Sequence, residues 1–171
     1  STEFGFLSSL KWGHAGVNSP TRAIFASGAT PGSPAYINTI EFVTIATLGN
    51  AENFGDVSTI VRNQVPACSD TRGLFASGQT SSSSPYGYVN TIEFITMSTF
   101  GNTSDFGDLT LGRGRGAGVS NSIRGCFIGG QTTSPTNDLK SIDVVTIATT
   151  GNASDFGDIS ALNESFQGAS D

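Results

Sequence analysis

Apolar and polar positions in this chain fall into short runs rather than helical stripes. From Thr21 the sequence reads TRAIFASGAT, matched by TRGLFASGQT at 71–80 and IRGCFIGGQT at 123–132. Four consecutive apolar or small residues followed by a glycine predict a short strand covered on both faces. Gly28, Gly78 and Gly130 end it, where the backbone must bend or meet a neighbour closely. After a loop comes TIEFVTIAT (39–47), rich in the residues strands prefer. Ile40 and Phe42 share one face, and Val43 and Ile45 the other, as in a strand buried on both sides. Gly-Asn pairs at Gly49, Gly101 and Gly151 predict a tight turn into a further strand, NFGDVS (53–58), with Phe54 as its anchor. A stretch of small residues, HAGVNS (14–19), PACSD (66–70) or GAGVSNS (116–122), predicts a strand in a crowded place.

These runs are one pattern written three times. Asn90–Leu109 (NTIEFITMSTFGNTSDFGDL) is repeated at Asn38–Val57 and Lys140–Ile159, and a remnant stands at Thr2–Leu7. Phe4, Phe54, Phe106 and Phe156 are equivalent, at spacings of 50, 52 and 50. A period this long marks a propeller or solenoid. Each unit predicts four antiparallel strands, the small-residue strand innermost and the Phe-Gly-Asp strand outermost. The chain then divides into the last strand of a preceding blade (1–12), blades at 13–60, 64–112 and 115–161, and the first strand of a following blade (162–171). Rings need about 4–8 blades. Three imply a segment of a larger ring, a ring shared between chains, or an open array.

Composition agrees with an all-β chain: Gly is abundant at 22 residues, and Phe (12) outnumbers Trp (1) and Tyr (3) together. The formal charge of −6 disfavours nucleic acid. The acids are mostly repeated positions: Glu41, Glu93 and Asp143; Asp56, Asp108 and Asp158; Glu3, Asp105 and Asp155. Cys126 stands where the other units carry Ile24 and Leu74, so it reads as a small buried apolar residue. Cys68 takes a small position, and a disulfide between the two is a minor alternative. No run approaches the ~18 apolar residues of a membrane span, and no secretory signal is seen. Because the chain opens on Ser rather than Met, it is expected to be a mature form or a piece of something longer.

A strand ending in Ser-Gly or Gly-Gly, a variable loop, an N-T-I-E-F strand, a turn and an aromatic anchor resemble the kelch repeat of β-propellers. Phe stands for the usual Trp, and two glycine doublets are Ser-Gly. More closely, T-R-G-h-F-x-G-G … N-T-I-x-F-h-T … G-N-x-x-D-F-G-D is similar, over essentially the whole chain, to tandem repeats in tail-fibre and virion structural proteins of phages of marine cyanobacteria. The resemblance implies a non-enzymatic component on the surface of a virion. Other virion proteins would be its partners, in a larger chain or a homo-oligomer, with no cofactor and no membrane insertion.

Loops joining strands two to three and four to one emerge together on one face, and there the units differ. That face is expected to hold Trp12, His14, Tyr36, Arg62, Tyr86, Tyr88, Arg113 and Arg115. With Lys11, which lies there too, four of the five unrepeated basic residues (Lys11, Arg62, Arg113 and Arg115) are on it, Lys140 being the exception. Rigid scaffolds carry function on such loops. Aromatic faces stack on sugars, and arginine forks bind phosphate or carboxylate. Equally, loops vary without a ligand, and an exposed arginine often only keeps a protein soluble.

Arg22, Arg72 and Arg124 recur and so predict structural ion pairs, to Asp105, Asp155, Asp56 or Asp108. The G-N-x-x-D-F-G-D run is a poor calcium loop because Phe and Gly interrupt its oxygens. His14 is the only histidine and has no unique carboxylate partner, and Cys68 has no histidine to activate it. LGRGRGAG lacks the Lys-Ser/Thr and helix of a phosphate loop. Asn102, Asn152 and Asn163 begin N-x-S sequons, without meaning in a phage. No catalytic residue and no metal site are expected. The leading function is host adhesion through a surface glycan, the alternative a structural or docking propeller, and a propeller glycosidase stands behind both.

Overall fold

The computed structural model describes residues 2–32, 36–81, 86–133, 138–161 and 168. It contains three four-stranded antiparallel sheets, each in simple meander order. The first comprises β1 (Ala15–Asn18), β2 (Arg22–Ala26), β3 (Thr39–Thr44) and β4 (Glu52–Asp56). The second comprises β5 (Val65–Cys68), β6 (Arg72–Gln79), β7 (Tyr88–Thr96) and β8 (Ser104–Asp108). The third comprises β9 (Ala117–Ser120), β10 (Arg124–Ile128), β11 (Ser141–Thr146) and β12 (Ser154–Asp158). Among the described residues there is no helix and no closed ring. The architecture is an array of propeller-like blades.

Neighbouring blades meet at their first strands: β1 contacts β5, and β5 contacts β9. Small residues are needed there. A Cβ on Gly118 would lie 1.6 Å from the Pro66 carbonyl oxygen of the blade before. The hydrophobic cores lie between blades rather than within them. One joins Ile24, Ile40, Phe42 and Phe54 of the first blade to Phe75, Ile95 and Met97 of the second. The other joins Leu74, Ile92 and Phe106 to Phe127, Val145 and Ile147.

The repeated Phe owes its place to a bulge. Glu41 pairs with Asn53 and Ile40 with Gly55, leaving Phe54 as the extra residue, and the same shift recurs at Phe106 and Phe156. A bulge re-aims one side chain out of the strand's alternation, here toward the next blade. Phe54 and Phe106 are 3% and 2% exposed, with Phe42 and Phe94 edge-on to them at 6.2 and 6.0 Å. Phe156 is 60% exposed, contrary to the expectation that all three are buried. Its environment differs because no described blade follows it. Cys126 is only half-buried for the same reason, whereas Ile24 and Leu74 are fully buried.

The Gly-Asn pairs do not form the hairpin turn that their chemistry suggests. The chain reverses at Thr44–Thr47, where Thr47 N–H donates to the Thr44 carbonyl. The Gly-Asn segment that follows docks on the outer strand of the preceding blade. Gly101 N–H donates to the Phe54 carbonyl and Thr103 N–H to that of Asp56, while Asn102 Oδ1 accepts from Asp56 N–H. Gly151, Ala153 and Asn152 repeat these bonds on Phe106 and Asp108. Gly49, Ala51 and Asn50 make them with Phe4 and Phe6 of the amino-terminal segment. Glycine is required on the strand side, since a Cβ on Gly55 would stand 2.1 Å from the Gly101 oxygen.

Of the carboxy-terminal stretch assigned to a following blade's first strand, 162–167 and 169–171 lie outside the described residues, with the sequon at Asn163. Gly168 is described, and it packs against Gly118.

Candidate functional site

The loop face is built from paired loops. The link before β1 bridges to the β2–β3 loop at Trp12 and Ala29, and Ala29 bridges on to Tyr36. Arg62 bridges likewise to Gln79, and Gly114 to Gln131, which bridges on to Asp138. These bridges set the two loops of each blade side by side, and the residues expected on them do different things.

Arg113 is not part of an exposed surface. Its side chain has no solvent exposure, and its Nη2 donates to Asp143 Oδ2 at 3.0 Å and to Ser141 Oγ at 3.1 Å. Nη1 reaches the Ser141 carbonyl at 3.0 Å. Burial draws its pKa below the ordinary guanidinium value while the Asp143 charge opposes that shift. Lys11 has the same role in the first blade, with Nζ 2.5 Å from Glu41 Oε2 and no exposure. Burial pushes the Glu41 carboxyl up, but hydrogen bonds from Lys11 and Ser8 and the Lys11 charge outweigh it, and its pKa ends lower. In the second blade Val61 occupies this position, and Glu93 instead accepts from Ser58, Thr59 and Thr103 hydroxyls. Each blade thus holds a buried carboxylate capped by a backbone N–H from Ser8, Ser58 or Thr110. An unpaired buried charge is costly, so two of the unrepeated cations serve as internal counter-ions.

Arg62 is also buried, at 6% exposure. Its guanidinium lies 4.4 Å from the Trp12 ring centroid and 5.3 Å from that of Tyr36, and its Nε donates to Gln79 Oε1 at 3.2 Å. It braces two aromatic rings from the blade before. Trp12 remains 49% exposed, so one indole stands on the surface held from within by a cation–π contact. Two buried polar atoms in this neighbourhood, Tyr36 Oη and Gln79 Nε2, have no hydrogen-bond partner among the described residues. At the equivalent positions one blade on, Tyr88 Oη donates to Gln131 Oε1 at 3.0 Å.

His14 is exposed, edge-on to Phe25 at 5.9 Å, and its pKa is lowered by burial of part of the ring and then by the Lys11 charge, with Glu41 opposing. It lines a cleft of about 310 Å³ along the first strands, with Gln64, Pro66 and Gly116–Gly118. Tyr86 and Arg115 are half-buried. Arg115 occupies a left-handed position (φ 61°) equivalent to Asn63 (φ 56°) and Gly13 (φ 65°), and its N–H donates to the Asn63 carbonyl. Sequence reasoning missed Gln64 and Gln79. Their one signal was a glutamine in columns where the other units carry His14 and Gly116, and Ala29 and Gln131.

The recurring arginines do not pair with the acids expected. Arg22 Nη1 donates to the Met97 carbonyl at 2.7 Å, and Arg72 Nη1 to that of Ile147 at 3.0 Å. Arg22 also lies over Phe42 and Phe100, and Arg72 over Phe94. They point across the blade interface, where a carbonyl and a ring lie in reach, so Asp56, Asp105, Asp108 and Asp155 are not their partners. The only ion pairs among the described residues are Lys11–Glu41 and Arg113–Asp143. Among those residues no group of three or more His, Cys, Asp or Glu could hold a metal ion.

The fold and this face define an all-β, propeller-like array of four-stranded blades with loop residues braced between neighbours. No family model matches the sequence, and no curated protein does. Solved structures do match, among them one described as "Structure of YjhT", with TM-score 0.72 at 10% identity. The match covers 90% of this chain but 54% of that one, so the chain spans about half of its structural neighbour's length. The likeness concerns the fold alone.

Proposed function

We propose that this chain is a non-enzymatic β-propeller segment of a phage virion protein of the tail-fibre or host-adhesion kind. Its ligand is a polyhydroxylated surface glycan, met on the loop face of the first two blades. The kelch-like repeat and its similarity to cyanophage virion proteins support the setting. The observation that carries the ligand face is Trp12, half exposed yet fixed by Arg62 from beneath. A sugar ring stacks on such a surface with little ordering of the protein.

Arg113 drops out of the ligand set because it is enclosed, and Arg62 acts through Trp12 rather than by contact. What remains of the expected set is aromatic apart from one arginine: Trp12, His14, Tyr36, Tyr86 and Tyr88, with the half-buried Arg115, a composition suited to stacking on a sugar ring. A docking role in the virion is favoured by a separate observation, the apolar residues exposed at the two ends of the array.

Glycan-array binding by the whole chain, with Trp12→Ala beside it, tests the proposal. Retention of a glycan by the parent and its loss in Trp12→Ala, with unfolding shifted by only about 1 kcal/mol, is expected. No retention by the parent, or equal retention by the variant, overturns it.

A further inference from the structure

We infer that Arg62 makes the exposed indole of Trp12 selective by charge: the site takes sugars without a free amine and turns away protonated amino sugars. This selectivity rests on Trp12 being the sugar platform proposed above, whereas the charge behind the ring belongs to the fold itself.

The interface between blades does not need this arginine. One blade on, Gly114 stands in its column, and Tyr88 Oη bonds directly to Gln131 Oε1 at 3.0 Å. A Cβ on Gly114 would lie 2.9 Å from the Tyr88 ring, so that closure leaves no room for a side chain. Between the first two blades an arginine enters instead. Its guanidinium lies 5.3 Å from the ring of Tyr36, the counterpart of Tyr88. Its Nε and Asn63 Nδ2 both take Gln79 Oε1, each at 3.2 Å. Tyr36 Oη and Gln79 Nε2 are then left without partners among the described residues. Buried polar groups left unanswered are costly, and the glycine of the next blade avoids that cost. What the arginine adds is a cation 4.4 Å from the Trp12 ring centroid.

That cation is uncompensated. Lys11 and Arg113 are each paired with a carboxylate, and these are the only ion pairs among the described residues. Arg62, at 6% exposure, has none. The loop-face segments of the two blades, 7–14, 27–38, 57–64 and 79–90, carry Lys11, His14 and Arg62 but no Asp or Glu. An aromatic face ordinarily attracts cations through its quadrupole. A guanidinium behind the ring opposes that attraction at the outer face. Two like charges about 8 Å apart across the ring, at an effective dielectric of about 20, weaken binding by up to roughly thirtyfold. Hydroxyl and acetamido groups carry no charge and escape the penalty.

Trp12 is the chain's one tryptophan, so its fluorescence reads the potential at this ring directly. The test is collisional quenching by iodide and by caesium at matched ionic strength, with N-acetyltryptophanamide as the reference. The formal charge of −6 alone would favour caesium. The expected result is an iodide-to-caesium quenching ratio at least about twofold above the reference, kept in Arg62→Lys and lost in Arg62→Met. A parent ratio at or below the reference, or an Arg62→Met ratio equal to the parent's, overturns the proposal. On a glycan array, the parent should retain N-acetylated oligosaccharides over their de-N-acetylated forms, and Arg62→Met should narrow the gap. Preference for the amine-bearing forms overturns the selectivity and leaves the glycan reading standing. An array with nothing retained overturns the glycan reading and this selectivity with it, whatever the quenching shows.

Discussion

Arg113 Nη2 lies 3.0 Å from Asp143 Oδ2 with neither side chain reaching solvent. The arginine comes from the loop before β9 and the aspartate from the middle of β11, so the pair fastens the loop face to its own blade. Replacing Arg113 by Met leaves a buried carboxylate without its counter-ion and should cost about 3–5 kcal/mol. Removing both charges, as in Arg113→Met with Asp143→Leu, should recover most of that loss. Urea unfolding midpoints decide it. A loss below about 1 kcal/mol in the single variant would mean that the pair is solvated rather than enclosed.

The Gly-Asn clamp makes a second prediction. Asn102→Ala removes the acceptor for Asp56 N–H and should destabilise by about 0.5–1.5 kcal/mol. Asn152→Ala should do the same at Asp108. The two sites share no partner, so their effects should add. Thermal unfolding of the single and double variants measures this.

Acid should weaken the fold in two stages. His14 has a folded pKa below 6.5, through burial and then the Lys11 charge, so the folded chain binds fewer protons than the unfolded one just below that pH. Stability should therefore fall as pH drops through the region beneath 6.5. Glu41 is also lowered, from 4.5, so its contribution is complete above that value and is lost as pH falls through its folded pKa. Lys11→Met should raise the Glu41 midpoint and bring the second loss to higher pH. NMR titration of His14 checks the first stage, and a midpoint at or above 6.5 would contradict it.

Strands and their order were legible because their signals are local: apolar runs, glycine punctuation and a motif repeated about every fifty residues. The pairing of Lys11 with Glu41 and Arg113 with Asp143 was not, because each joins residues about thirty apart through a register the sequence does not state. Variation in the loops read as exposure, yet positions 11, 61 and 113 vary together with how the neighbouring carboxylate is satisfied. Aligning the three units on their acids would have shown Lys, Val and Arg in one column opposite Glu41, Glu93 and Asp143. Gly-Asn was misread for a physical reason as well. Its chemistry suits a hairpin, but here it serves the blade before it. Phe156 follows the repeat in sequence and departs from it in burial, because burial depends on the next blade and not on the strand itself.

The central claim is that the repeated Phe gains its stability from the following blade. Unfolding free energies of Phe106→Ala and Phe156→Ala, measured side by side at concentrations where the chain is monomeric, test it most directly. Phe106→Ala should lose about 3–5 kcal/mol, and Phe156→Ala less than about 1 kcal/mol. Equal losses at the two positions would contradict it.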